Sequence, residues 1–267
     1  MRVLTEEETQ AELKTLALDD PTGAGFAFSN TARDTFYGWH AHPYHQLLYA
    51  ISGATQLETA EARYMLPPQR AAWIPAGVRH RTLVSQVEGV SLYFDPADVP
   101  TGAGRVRIML ADPLLREMIL HAQRWPRGMA EGAPIAQSYF RTLALLCAEW
   151  LESELPLRLP RSEDPAIARA MDQVIAEPGT ATLATATAAA RMSERSFRRR
   201  FAASVGMSWQ AWLTQARIMA AMTRLAEGGR VTDVAAEVGF SSLSAFALAF
   251  AKVCGETPSA YRARLRG

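Results

Sequence analysis

The chain has little cysteine, no long apolar run and almost no net charge, and each shortage narrows what it can be. Cys147 and Cys254, its two cysteines, stand far apart in apolar helical surroundings. Thiols so placed read as buried and free, which excludes a disulfide scaffold and points to a reducing cytoplasm. The first residues, Met-Arg-Val-Leu-Thr-Glu-Glu-Glu, have no apolar core of a secretion signal, and no later run approaches the length that spans a bilayer. A cytoplasmic protein without a membrane segment is expected. Net charge is only +1 over 267 residues, but residues 1–162 carry 15 Lys+Arg against 18 Asp+Glu and residues 163–267 carry 13 against 9. A positive excess confined to the C-terminal part suits a polyanion there. The length suffices for two domains, each burying its own core.

What is present is clearest between Ser193 and Phe201, Ser-Glu-Arg-Ser-Phe-Arg-Arg-Arg-Phe. Ser193 suits an N-cap, Phe197 and Phe201 form a buried i, i+4 pair, and Arg195, Arg198 and Arg199 fall on the opposite face. A guanidinium fork matches the two acceptors of guanine in the major groove, so this face suits DNA reading. A solvated charged face is the alternative. The pattern returns in Val231 to Phe250: a helix, a tight turn at Gly239, and a second helix capped near Ser241 or Ser242 with Phe246 and Phe250 as its pair. This is helix-turn-helix grammar. Ser208 to Glu227 reads as one connecting helix about 30 Å long, close to the ~34 Å between successive major-groove faces on one side of a duplex.

These stretches resemble the AraC/XylS family of transcription regulators over roughly Thr182 to Arg264. The likeness rests on Met-Ser-Glu-Arg-Ser-Phe-Arg-Arg-Arg-Phe, Val-Gly-Met-Ser-Trp-Gln-Ala-Trp-Leu with Arg217, Val-Gly-Phe-Ser-Ser-Leu-Ser-Ala-Phe, and Thr257-Pro258-Ser259-Ala260-Tyr261-Arg262. It implies base-reading positions at Arg195, Arg198 and Arg199, and a matching second face of Leu243, Ser244, Ala247 and Leu248. The sequence departs from the family at that second face, which has almost no hydrogen-bond donors. Thymine-methyl contacts, phosphate contacts through Ser242 or Ser244, and shape reading are expected there. Arg191 is a further departure, standing in a turn where a small residue is common.

From Phe26 to Asp95 short alternating stretches are broken by Gly and Pro, which predicts a small all-β barrel or sandwich. Strands are expected at 24–29, 45–51, 54–58, 63–66, 71–74, 81–84 and 90–94, with turns at Ser52-Gly53, Glu61-Ala62 and Ala76-Gly77. His40, His42 and His45 precede one strand, and His80 ends Pro-Ala-Gly-Val-Arg-His. The spacing resembles the two cupin motifs, with Gln46 where cupins often carry Glu. Imidazoles at i and i+2 of a strand share a face, so His40 and His42 are expected to point into the lumen, with Gln46 favoured over His45 as the next inward residue. His40, His42, Gln46 and His80 form a candidate site for a divalent transition metal, Zn, Ni, Fe or Mn. The alternative is a metal-free cluster whose histidines bond each other, water or an organic effector. Trp39, Tyr49 and Trp73 are candidate effector contacts among the aromatic residues of this region.

Residues 106–155 change to a helical pattern, with Ile108, Met109, Leu114, Leu115, Met118 and Ile119 in one amphipathic element and Tyr139, Leu143, Leu146, Cys147 and Trp150 in another. The resemblance implies that such helices hold a homodimer together; capping the barrel is the alternative. Pro156 to Pro165 reads as a linker. The expected fold is thus α+β: a cupin-like effector domain at 1–105, a helical dimerisation segment at 106–155, a linker at 156–165, and an all-α tandem helix-turn-helix domain at 166–267. The expected function is that of a regulator which senses a small molecule or metal ion and binds double-stranded promoter DNA. A metal-dependent cupin enzyme, of dioxygenase or isomerase type, is the competing reading, and an architectural DNA-binder the third. Against the enzyme, Glu58, Glu61 and Glu88 do not adjoin the histidine motif, so no general acid or base is evident.

Overall fold

Alternation of apolar and polar residues builds the N-terminal part. A computed structural model describes residues 2–19, 23–30, 35–52, 54–85, 88–99 and 104–265. Backbone contacts divide the chain into two units, residues 1–60 with 64–155, and residues 156–267 with 61–63.

In the first unit β1 (Arg2–Val3), β3 (Thr35–His40), β8 (His80–Ser85), β5 (Ala54–Thr59) and β6 (Ala62–Leu66) lie side by side in that order. A second sheet runs β10 (Arg107–Leu110), β7 (Arg70–Ile74), β4 (His45–Ala50), β9 (Gly89–Phe94), β2 (Gly25–Asn30). Strands β1 to β5 and β6 to β9 alternate between the sheets, as in a cupin-like jelly roll, while β5 and β6 share one sheet and β9 and β10 the other. The two sheets are separate rather than closed into a barrel, so of the two expected forms the sandwich is the one found. The turn expected at Ala76-Gly77 is present, with Gly77 at φ +75°; Gly53 lies outside the described residues.

Besides the two-residue β1 and a three-residue strand at Arg158–Pro160 inside the expected linker, two strands differ from expectation. The stretch before His45 contains β3, whose alternation is broken by a register shift between Tyr37 and His40. That bulge hides the strand from a period-two reading. Gly38 sits within it because α1 (Glu6–Thr15) crosses there: a Cβ at Gly38 would lie 2.8 Å from the Glu6 nitrogen. Ile108 and Met109 are also corrected, since they belong to β10, paired with Ala72 and Ala71 of β7, and not to a helix. A four-residue apolar run carries no period of its own; its partner strand decides its state.

The helices α2 (Pro113–Ala122) and α3 (Pro134–Trp150) bury Leu115, Ile119, Phe140, Leu143 and Cys147 in one cluster with Leu47, Trp73, Leu92, Phe94 and Met109 of the second sheet. Burial pushes the Cys147 thiol up, which keeps it an inert core group.

Helix-forming stretches bounded by capping residues build the second unit: α4 (Pro165–Ala176), α5 (Leu183–Ala190), α6 (Glu194–Val205), α7 (Trp209–Ala226), α8 (Val231–Glu237), α9 (Leu243–Cys254) and α10 (Pro258–Arg264). The side chains of Asp164, Thr182, Ser193, Ser208, Ser242 and Thr257 each accept a hydrogen bond from a first-turn N–H. The connecting helix α7 starts and ends where its sequence pattern does, and its 18 residues span about 27 Å. Its Trp209 and Trp212 pack against Phe197 and Phe201, with ring centroids 5.2 to 5.9 Å apart. Phe246, Phe250 and Tyr261 form the equivalent core of the second motif. We expect Ser208→Ala to destabilise this unit by about 1 kcal/mol, the usual worth of an N-cap. Denaturant unfolding followed by tryptophan fluorescence checks this, and an unchanged midpoint would rule the cap out as a contributor.

Candidate DNA-reading face and buried polar cluster

In the second unit, burial of Phe197, Phe201 and Val205 fixes which way α6 faces. Arg195, Arg198 and Arg199 are consequently exposed together. Arg198 has only a loose ion pair with Glu194, at 3.9 Å. Arg200 is different: its Nε donates to the N-cap carboxylate of Asp164 at 2.9 Å, tying α6 to the start of α4.

On α9 the buried Phe246, Phe250 and Cys254 leave Leu243, Ser244 and Leu248 exposed, with Ala247 partly covered. Leu248 is 76% exposed, a large apolar surface to leave in water. Ser242 accepts from the Ala245 N–H at 3.2 Å, leaving its hydroxyl hydrogen to donate elsewhere.

Arg217 of α7 has a role that its sequence position alone does not disclose. Its guanidinium donates to the carbonyls of Pro178 at 3.1 Å and Ala181 at 2.9 Å, and burial holds its pKa below the usual arginine range. It thereby pins the loop between α4 and α5. The turn of the second motif abuts the same loop: a Cβ at Gly239 (φ +87°) would lie 2.6 Å from the Gly179 carbonyl oxygen and 2.7 Å from Arg217 Nη2. Glycine is required there for both shape and space.

In the first unit, His40, His42 and His80 come together with ring centroids 4.2 to 6.3 Å apart. His42 lies in the β3–β4 connection, ahead of a strand as expected, whereas His40 ends a strand, β3, that was not expected. The Nδ1–H of His40 goes to the Gly38 carbonyl and that of His80 to the Val78 carbonyl, both at 2.8 Å. That leaves each Nε2 as a lone pair. Burial lowers the pKa of all three, His42 to about 4, so they are neutral at pH 7.

His42 Nδ1 lies 2.9 Å from the Tyr44 carbonyl oxygen, and its Nε2 lies 3.0 Å from the side-chain amide of Gln46. A neutral ring has one N–H to give. It goes to Tyr44, so the Gln46 amide must offer its NH2 to Nε2 and turn its oxygen to the Ser91 hydroxyl. Gln46 and Ser91 are 2.9 Å apart, and Ser91 also bonds Tyr93, whose phenol burial holds well above its usual range. His42, Gln46, Ser91 and Tyr93 thus form one uncharged chain of hydrogen bonds. Gln46, not His45, joins the cluster, as strand parity requires. His45 stacks on Trp73, with its Nδ1 accepting the Ala76 N–H at 3.0 Å.

The three aromatic candidates stand apart from the cluster. Trp73 lies directly opposite Leu47 in the ladder, one residue out of phase with Gln46, and Tyr49 shares that parity. Both belong to the core under α2 and α3. Trp39 lies one residue from His40 on β3 and stacks instead under the guanidinium groups of Arg79 and Arg81. The residues that do stand beside the histidines, Ser91 and Tyr93, carry no motif and are found only through pairing. On β5, Thr55 is buried and its hydroxyl has no hydrogen-bond partner among the described residues. Among the described residues no set of three His, Cys, Asp or Glu side chains is drawn close enough to hold a metal ion.

Three neutral buried imidazoles register in stability. As pH falls below about 6.5 the unfolded chain takes up protons that the folded cluster refuses, so stability is present above that pH and is lost toward pH 4. We expect the loss to approach ~3 kcal/mol for His42. Unfolding free energy measured from pH 7.5 to 4 tests it; His42→Asn should flatten the profile, and equal slopes would contradict the burial argument.

A sandwich with a buried polar cluster, carried on one chain with two helix-turn-helix motifs of which the first has an arginine face, defines the class of ligand-binding, DNA-binding regulators. An AraC-like ligand binding domain model matches residues 23–194, and a helix-turn-helix domain model matches residues 186–264. The chain is 34% identical over 238 residues to the HTH-type transcriptional regulator NimR of Escherichia coli K12, covering 85% of this chain and 82% of that protein. It is 35% identical over 106 residues to the HTH-type transcriptional regulator RipA of Corynebacterium diphtheriae, covering 39% of this chain and 32% of that one. A solved structure of the DNA-binding domain of AdpA, in complex with a target DNA, is 31% identical with a TM-score of 0.36, covering 38% of this chain and 93% of that one. The chain belongs to the AraC family of transcription regulators, and it is a ligand-responsive DNA-binding regulator.

Proposed function

We propose that the cluster of His40, His42, Gln46, His80, Ser91 and Tyr93 binds the effector, and that occupancy changes how the helix-turn-helix unit engages a promoter. The observation that carries this reading is a buried, polar, wholly uncharged cluster in the domain that the ligand-binding model matches. The Nε2 lone pairs of His40 and His80 call for a ligand with N–H or O–H donors and no net charge. An effector acts only through unequal affinity for two arrangements of the protein.

A metal ion is the second reading. Histidines whose Nδ1–H is fixed by a backbone carbonyl are oriented as metal ligands are, and Zn, Ni, Fe or Mn suits imidazole donors. His42 would have to release Gln46 to take part. The test of both is thermal melting of the full chain against those ions and a panel of small uncharged molecules, with promoter binding measured alongside. No shift and no change in binding for any of them would count against sensing and favour a scaffold role for the sandwich.

In the DNA unit, Arg195, Arg198 and Arg199 read guanine edges, Ser242 and Ser244 hold phosphates, and Leu243, Ala247 and Leu248 meet thymine methyls. Exposed Leu114, Ile135 and Leu145 on α2 and α3 suit a homodimer, which would present two such units to paired sites. The protein is not an enzyme in this reading: Glu58 is engaged by Arg81 at 2.7 Å, and among the described residues no carboxylate acts on the three clustered rings of His40, His42 and His80, Asp95 facing His45 instead. No helix among the described residues is long and apolar enough to cross a membrane; the reading places the protein in the cytoplasm with its DNA.

A further inference from the structure

We propose that Arg191, in the turn of the first helix-turn-helix motif, is a DNA phosphate anchor kept in place against the backbone's preference. The proposal rests on reading α6 as the DNA-facing helix.

The two motifs turn on the same hydrogen bonds. Arg191 N–H donates to Ala188 and Met192 N–H to Thr187, at 3.1 and 3.0 Å; Gly239 N–H donates to Ala236 and Phe240 N–H to Ala235, at 2.9 and 3.0 Å. Each pair spans three and five residues, so Arg191 occupies the backbone place of Gly239. Both residues are left-handed, at φ +54° and +87°. The caps ending α6 and α9 are left-handed too, and both are glycine, Gly206 and Gly255. Arg191 is the one non-glycine residue at positive φ among the described residues of this unit. A Cβ disfavours that conformation, so glycine would be the more stable choice.

Packing does not explain the arginine. Gly239 has backbone on top of it, whereas Arg191 is exposed. Its guanidinium has no hydrogen bond, ion pair or ring contact among the described residues, in contrast to Arg200, Arg217 and Arg264 of the same unit. Its position carries the remaining argument. It stands two residues before the N-cap Ser193, at the end of α6 that approaches DNA first when such a helix enters the major groove. An exposed cation there, in the turn that leads into the helix bearing Arg195, extends the positive face toward the phosphate backbone.

The proposal makes stability and binding move in opposite directions. In the full chain, Arg191→Gly should raise the melting temperature by a few degrees, since it relieves the backbone. The same variant should weaken binding to a labelled duplex of the upstream region and to a scrambled duplex alike, severalfold. The slope of log affinity against log salt should fall by about 0.9, the share of one phosphate contact. Arg191→Lys should keep the slope without the rise in melting temperature. Arg199→Ala serves as the control for the reading beneath. Binding and salt slope unchanged by Arg191→Gly while Arg199→Ala weakens binding would overturn the anchor alone. A lowered melting temperature for Arg191→Gly would overturn it also, because the side chain would then be structural. If neither variant alters binding, α6 is not the reading helix and both proposals fall.

Discussion

Replacing Arg198 and Arg199 together by alanine is expected to weaken binding to a cognate promoter by ~2–6 kcal/mol, as each bidentate base contact contributes about 1–3 kcal/mol. The expectation follows from how α6 is held. Phe197 and Phe201 are fully buried against Trp209 and Trp212, so the helix cannot roll to hide its arginines. Neither guanidinium has a strong competing partner: Arg198 touches Glu194 only at 3.9 Å, and Arg199 has none among the described residues. Most of the loss should be specific, so the gap between promoter and scrambled duplex must narrow. Anisotropy titrations on both duplexes measure it. Equal promoter affinity for wild type and double variant would sink the assignment of this face. The second motif should respond differently. Its exposed Leu243 and Leu248 offer no donors, so exchanging thymine for uracil in the half-site it covers should matter more than exchanging purines.

The second large effect concerns the sensor. Changing His40 and His80 together to alanine should abolish the difference in promoter output with and without effector, leaving effector-free DNA binding as it was. These two rings lie closest, at 4.2 Å, and their Nδ1 atoms are spent on backbone carbonyls, so the pair offers the cluster's two spare acceptors. Removing two buried rings opens a cavity, so folding must be checked by melting. A glutamine pair, polar and closer in size, keeps the test decisive if the alanine variant unfolds. A normal response from a folded variant would move the effector elsewhere. The pH dependence gives an independent handle: the same substitutions should remove part of the stability loss below pH 6.5.

How much of this was readable in advance differs between the units. Helix caps, phenylalanine pairs and the glycine turn are local, and each kept its place in the structure: Ser193 and Ser242 cap, and Phe246 and Phe250 are buried. Strands bounded by Gly and Pro were legible for the same reason. β3 was not, because a bulge and Gly38 erase its alternation, and β10 was not, because four residues carry no period. The histidines were found by their spacing. Which of the aromatic residues near them face the cluster was not legible, because nearness in sequence says nothing about parity across a sheet.

The amino-acid order by itself determined the class of protein, the two helix-turn-helix motifs, the arginine face and the identity of the clustered histidines. Those features depend on residues within a few positions of one another, where helical and strand periods act directly. Only the tertiary structure decided that Gln46, Ser91 and Tyr93 complete the cluster, that Tyr49 and Trp73 serve the core, and that Arg217 clamps a loop 36 to 39 residues away. Each of those depends on which strand or loop pairs with which, and that choice is made by long-range register and burial rather than by any local pattern.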